Sequence, residues 1–544
     1  MKKLIKMTIG VLIIALATAA FVSWQGITAP GRTVPNQHAN FQGKTNVLQV
    51  SPGSGGYDWA VLTYDLGAYS GRVTIEVSMQ VWLDRPTKVV WQVNNNNWPI
   101  IAGNTNADLP ARQWLEVKGS NTITLEPNRM LYLSTHHFGN NITAYIDDIT
   151  ITINGNVVNT PVVIDTSLTA LHTKWPFRVG VAVSDTSFSV VSPQRQLLRH
   201  FNVLVAENRM KPDGIMPHPW TPTGAYRWAE ADAMVNYAEA NNQKIRGHVL
   251  IWHNSIPDAF FRGSGRQGRA TTDELYARME HHIKTVFEKY RGRIEWWDVV
   301  NEAVGDDGNP RAPGNVAGTG TDSQSVFTQI MLDAGKTGTD RYEYVLKAFQ
   351  FARQYADANG GQNVKLFLTD YSMEIPGAKH NGFLRLLDYL IANNAPIDGV
   401  GVQGHYNHDW PAVRDVSRGI DAFTSRRNPR TGQNLVIQVC ELDISIYRRN
   451  ETTWSNTGAR GTLTLAEREL NTRLTAQAQR YREFFDMYLE KYNEGKLDMV
   501  LIWGIDDGTS WINEFPVRGR TDHPLLFNRQ YQPKPAFHEL IRGR

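Results

Sequence analysis

From residue 178 onward the chain repeats one alternation: a short apolar run, a polar break, then a longer stretch with helical spacing. The runs are RVGVAV (178–183), NVLVA (202–206), KIRGHVLI (244–251), IEWWDVV (294–300), VKLFL (364–368), IDGVGVQ (397–403), LVIQV (435–439) and DMVLIW (498–503). None alternates polar with apolar residues, as a strand with one wet face would. Such runs fit strands buried on both faces, and parallel strands of this kind need helical crossovers. YRWAEADAMVNYAEANN (226–242), DELYARMEHHIKTVFEKY (273–290) and DRYEYVLKAFQFARQYADAN (340–359) supply three of them. The pattern predicts an α/β fold, most economically a (β/α)8 TIM barrel over 167–544, although pattern alone leaves a doubly wound sheet open.

The first part of the chain has a different rhythm. Between about 40 and 156, short alternating runs are separated by Gly, Asn and Pro, and RVTIEVSMQVW (72–82) puts Val73, Ile75, Val77, Met79 and Val81 on one face. This predicts an all-β jelly-roll sandwich before the barrel. Its Trp59, Trp82, Trp91, Trp98 and Trp114 are candidates either for the core or for a ligand platform. Residues 157–166 read as a linker. Ahead of the sandwich, Lys2, Lys3 and Lys6 precede an apolar run with Ala17, Ala19 and Ala20, so residues 1–29 read as a secretory signal peptide. An uncleaved N-terminal anchor is the alternative; both imply export, and no stable membrane insertion is expected after cleavage.

With 544 residues, more than one core is required. The net charge of +3 and the absence of a Lys/Arg-rich run argue against nucleic acid as a partner, and a neutral ligand fits better. Sixteen Trp offer flat faces for sugar rings. The single cysteine, Cys440, cannot form an internal disulfide and reads as a small buried hydrophobe facing away from its neighbour Glu441. The adjacent pairs His136-His137 and His281-His282 diverge in any regular structure, and DDGN (306–309) lacks the other ligands of a calcium loop, so no metal or other cofactor is expected.

In a barrel of this type, chemistry sits where strands end in loops at the C-terminal rim. Glu207-Asn208 follows the second run, His248 and Trp252 close the third, and Asn301-Glu302 ends the fourth. Asp370-Tyr371 follows the fifth run, Gln403 and His405 the sixth, Glu441 and Asp443 the seventh, and Trp503 ends the eighth. Cleavage of a glycosidic bond needs two carboxyl groups, one protonated to donate to the leaving oxygen and one ionised to attack or to activate water. Glu302 and Glu441 are the candidate pair, with Glu302 expected to hold the higher pKa. His405 between Glu441 and Asp443 would orient the nucleophile and keep it ionised.

WWDVVNEA (296–303) and CELDIS (440–445) resemble the acid/base and nucleophile motifs of glycoside hydrolase family 10, the retaining endo-β-1,4-xylanases. AENRMKPD (206–213), RGHVLIWHN (246–254), GVQGHYN (401–407) and WGIDDGTSW (503–511) match the same family in the same order. The resemblance implies Glu302 as acid/base and Glu441 as nucleophile. It further implies that Glu207, Asn208, Lys211, His248, Trp252, Asn301, Gln403, His405, Trp503 and Trp511 line the subsites on the non-reducing side of the cut.

Thr369 and Ser372 stand where the family carries Asn, and Arg209 and Pro212 replace an acidic residue and a Trp; these bear on subsite contacts, not on the reaction. The segment 308–325 reads as a flexible loop over the cleft or as an inert insertion. The sandwich resembles the carbohydrate-binding modules of family 22, or of families 4 and 9. The expectation is a secreted, monomeric xylanase acting on xylan or xylo-oligosaccharide, with a β-glucanase on a related barrel or a non-catalytic polysaccharide-binding protein as rivals.

Overall fold

The computed structural model describes residues 60–542, apart from 67–68, 104, 128, 135–142, 158–160, 166, 185–186, 188–192, 315–323, 452–466 and 518–519, together with four short strands before residue 60. The apolar signal of residues 1–20, Trp59, His136-His137 and the middle of the 308–325 segment lie outside the described residues.

Eight parallel strands form a closed barrel: β1 (Arg178–Val183), β2 (Val203–Ala206), β3 (Lys244–Gly247), β4 (Trp296–Asn301), β5 (Lys365–Asp370), β6 (Gly399–Val402), β7 (Val436–Ser445) and β8 (Leu497–Ile502). Each pairs with its neighbour in sequence, and β8 returns to pair with β1, Arg178 against Met499. The doubly wound alternative is thereby excluded. Residues on both faces are buried, which explains the missing alternation. Trp296, Phe367 and Cys440 belong to an inner cluster, while the adjacent Trp297 packs against Phe287 and Tyr290 of the helix Thr272–Tyr290. That helix starts on a capping box, Thr271 with Glu274, and buries Leu275, Met279, Ile283, Val286 and Phe287 at helical spacing. Gly247 lets Trp297 lie flat on β3, since a Cβ there would sit 2.2 Å from the indole.

The barrel interior holds charge as well as hydrocarbon. Asp298, fully buried, takes both terminal nitrogens of Arg246 and lies 2.8 Å from His248 Nδ1. Thr369 donates its hydroxyl to the same carboxylate, and Arg246 Nε reaches Gln438 Oε1 at 2.8 Å. Gly401 makes room, because a Cβ there would lie 2.2 Å from Thr369 Oγ1. Thr369 is therefore occupied inside the barrel rather than facing a sugar.

The N-terminal strands form two antiparallel sheets over one core. In Gly71–Leu83, Val73, Ile75, Val77, Met79 and Val81 are all buried, as their alternation predicts. Trp91 is core, donating from Nε1 to Met79 Sδ at 3.2 Å, and is withdrawn as a platform candidate. Trp82 and Trp114 pair across adjacent strands on the outer face, and Trp98 is exposed. The expected linker contains a strand, Pro161–Ile164, paired antiparallel with Phe21–Trp24.

Candidate active site

Of the rim residues singled out from the sequence, fourteen line one cleft of about 1820 Å³ at the C-terminal rim of the barrel: Glu207, Asn208, Lys211, His248, Trp252, Asn301, Glu302, Tyr371, Gln403, His405, Glu441, Asp443, Trp503 and Trp511; Asp370 is buried beneath it. The strands deliver them by different devices. Asn301 is the last residue of β4, and Glu302 leaves the ladder in a left-handed turn, with φ at 57°. Glu441 does not follow β7, as its sequence suggests, but lies inside it. The strand runs on to Ser445 because the short strand His405–Asn407 pairs with its distal half, His405 opposite Asp443.

Gln403 ties the two glutamates together. Its backbone carbonyl accepts from Glu441 N–H at 2.9 Å, and its side-chain amide donates to Glu302 Oε1 at 3.0 Å and to Asn301 Oδ1 at 3.2 Å. On the other side His405 bridges Glu441 (Nε2 to Oε2, 3.3 Å) and Asp443 (Nδ1 to Oδ2, 3.0 Å). Trp511 donates to Asp443 at 2.8 Å and presents its ring to His405. Burial opposes a charged imidazole here, but the charge and hydrogen bonds of Asp443 and Glu441 outweigh it and lift His405 to about 10.

A cationic His405 ties stability to pH. Its folded pKa lies above the ordinary value near 6.5, so the stabilisation is complete below about pH 6.5 and disappears as pH rises through about 10. The difference in melting temperature between the native protein and His405→Gln should therefore shrink over that window. A difference that stays constant from pH 6 to 10 contradicts the ion triad.

Lys211 donates to Asn208 at 2.9 Å and lies over Trp252, while Trp503 stands edge-on to His248. Burial pulls Lys211 down, against the attraction of Glu441, Glu207 and Glu302. The Arg209 that departs from the family pattern pairs with Glu230 at 3.0 Å, and Pro212 opens a short helix. Ser372 lines the cleft in a left-handed conformation.

The Glu302 carboxyl differs from expectation. Burial pushes it up, but His253, Arg311 and Lys379 together with the Gln403 amide hold it below the ordinary glutamate range. A glycan that replaces water around this carboxyl adds to the upward push, in the direction an acid needs.

Sequence reasoning missed Asp298, Arg311 and Lys379. Asp298 is a charge in the middle of an apolar run, which is a legible signal. Lys379 pairs with Asp370 at 2.9 Å and stacks on Tyr371, and Arg311 reaches Glu302 across the loop that follows β4. Neither stands at a strand end. Cys440 is buried and donates to Val402 O, and burial raises its thiol well above the usual range.

The profile of Glycosyl hydrolase family 10 matches residues 167–542. Endo-1,4-beta-xylanase C of Paenibacillus barcinonensis is 34% identical over 407 residues, which cover 74% of this chain and 33% of that relative. The chain thus spans about a third of that relative's length. Endo-1,4-beta-xylanase A of Halalkalibacterium halodurans is 35% identical over 382 residues, covering 67% of this chain and 84% of the relative. A solved structure described as GH10 from Paenibacillus barcinonensis superposes with a TM-score of 0.57 at 34% identity, covering 67% of this chain and 94% of that one. A profile match over more than half the sequence, on a closed barrel whose rim gathers both motif glutamates, establishes that this chain belongs to glycosyl hydrolase family 10.

Proposed function

We propose that the protein is a retaining endo-1,4-β-xylanase that cleaves internal bonds of xylan by double displacement. The observation that carries this reading is the pairing of Glu302 and Glu441 in one open cleft, each tied to Gln403, with His405 held against Glu441. Glu441 attacks the anomeric carbon while Glu302 gives its proton to the departing oxygen, and Glu302 then takes a proton from water as that water releases the sugar. Retention requires the carboxyl groups to stand about 5 to 5.5 Å apart. His405, kept cationic by two carboxylates, holds the Glu441 carboxylate in place. Lys211, Asn208, His248 and Trp252 bind the sugar on the non-reducing side, with Trp503 and Trp511 as its walls.

Two relatives named as endo-1,4-beta-xylanases support xylan as the substrate. The test is a product profile on arabinoxylan, glucuronoxylan and carboxymethyl cellulose, with the anomer of the first product followed by NMR. The reading expects xylo-oligosaccharides released first as the β-anomer. Reducing ends from carboxymethyl cellulose but not xylan would favour a β-glucanase, and an α-anomer would overturn retention.

Export and carbohydrate binding by the sandwich belong to the same reading. The charged and apolar N-terminus supports export, and Trp82, Trp98 and Trp114 on the outside of the sandwich support binding. N-terminal sequencing of secreted protein tests the first. Retardation of the full chain by soluble xylan, with and without Trp98→Ala and Trp114→Ala, tests the second; equal retardation removes those tryptophans as a platform.

A further inference from the structure

Arg311 touches no sugar position assigned above, yet it is among the largest fully buried side chains of the protein. It sits where the loop after β4 returns, its guanidinium 5.8 Å from the Tyr371 ring, and its hydrogen bonds gather on the turn at Glu302 and Ala303. Its Nε donates to the backbone carbonyl of Glu302 at 2.7 Å, its Nη2 lies 3.4 Å from Glu302 Oε2, and its own N–H donates to Ala303 O at 3.0 Å. Glu302 needs such a hold. Its φ of 57° is a left-handed conformation that strains a side-chain-bearing residue, and strain of this kind persists only where neighbours over-determine it. The N–H of Glu302 is fixed to Thr369 O at 2.9 Å, and that of Val304 to Asp370 Oδ2 at 3.2 Å. Arg311 closes the remaining side of the turn.

The carboxyl oxygens are also distinguished. Oε1 accepts two amide donors, Gln403 at 3.0 Å and Asn301 at 3.4 Å, whereas Oε2 accepts one bond, from Arg311 Nη2 at 3.4 Å, and keeps its second lone pair for the proton. Given Glu302 as general acid, on which this step rests, we propose that Arg311 is its positioning residue, locking the left-handed turn and aiming Oε2 at the leaving oxygen. As the C–O bond of the leaving sugar breaks and Glu441 forms its bond to the anomeric carbon, the Oε2 proton passes to the departing oxygen. The negative charge left on Glu302 faces Arg311. Other charged groups act on the same carboxyl: His253 after β3, Lys379 from the helix Ala378–Ala392, Lys211 after β2 and, with opposite sign, Asp370. Arg311 is one cation among several, and it is bonded both to the backbone of Glu302 and to its carboxyl.

The test compares full-length Arg311→Met and Arg311→Lys on xylohexaose and on 2,4-dinitrophenyl β-xylobioside, whose leaving group departs without a proton. For Met, kcat on xylohexaose should fall roughly 10- to 100-fold, part of the 10²–10⁴ that a general acid supplies. On the dinitrophenyl substrate kcat/KM, which reports glycosylation, should stay within about threefold of the parent. The alkaline limb of kcat/KM should move up with Met and stay in place with Lys, which keeps the charge. Lys should still lose rate on xylohexaose, because it lacks the fork that holds the carbonyl. Should Met fail to fold, the Lys variant decides alone. Equal losses on both substrates with an unmoved alkaline limb, or a Lys variant identical to the parent, overturn the proposal. Glu302→Ala in the same assay separates the two readings. Dinitrophenyl hydrolysis rescued by azide keeps Glu302 as acid/base whatever Arg311 does, and failure of that rescue refutes the acid/base reading itself.

Discussion

Replacing Glu441 by Gln is expected to lower kcat on xylan by about 10⁴-fold or more, the scale on which loss of a covalent nucleophile is felt. The amide matches the carboxylate in shape, so the strand is undisturbed and the Gln403 carbonyl keeps its bond to the backbone N–H of residue 441. What disappears is the electron pair that attacks the anomeric carbon and the smaller part of the negative field that keeps His405 charged, the larger part coming from Asp443. Xylo-oligosaccharide affinity, measured by calorimetry on the variant, should stay within about tenfold of the parent KM, since the sugar contacts come from other side chains. Mass spectrometry of the parent treated with a 2-fluoro xylobioside should find the label on Glu441. Parent-level turnover by the variant, or a label on another residue, would falsify the nucleophile assignment.

Removing the carboxylate inside the barrel should damage folding on a comparable scale. Asp298→Ala leaves the fully buried guanidinium of Arg246 with its bond to Gln438 and without its paired carboxylate, and breaking a buried pair in this way costs about 3 to 5 kcal/mol. The carboxyl is buried, which pushes its pKa up, but Arg246 and His248 more than offset this and bring it to about 2; the charge is present at every working pH. His248 also loses the acceptor at Nδ1 that sets which nitrogen faces the cleft, so KM should rise even in molecules that fold. Asp298→Asn keeps the shape and should recover part of the stability. Urea unfolding monitored by tryptophan fluorescence checks the first effect and initial-rate kinetics the second. An Ala variant with the parent's midpoint and KM would show that the interior network carries neither load.

The barrel was legible because both faces of each strand are buried, so most strands read as largely apolar runs, and each run lies within a few residues of its strand. Strand 7 was misjudged for a physical reason. Glu441 and Asp443 look like rim residues in sequence, and only the pairing of His405–Asn407 reveals that the strand continues beneath them. The site residues were legible as far as they follow strand ends. Arg311 was not, because it reaches Glu302 from the return of a loop, and nothing local in GNPRAPG marks a buried guanidinium. Asp298 was in plain view inside IEWWDVV, an acidic residue no purely hydrophobic strand would carry. In the sandwich, alternation located the core face, but it could not tell Trp91, which is core, from Trp82 and Trp114, which are not.

Gln403 holds one glutamate by its main chain and the other by its side chain. The gap between the two carboxyl groups is what separates retention of configuration from inversion. A single residue thus joins the strand that carries one glutamate to the carboxyl group of the other, so a shift of that strand is passed on to both partners.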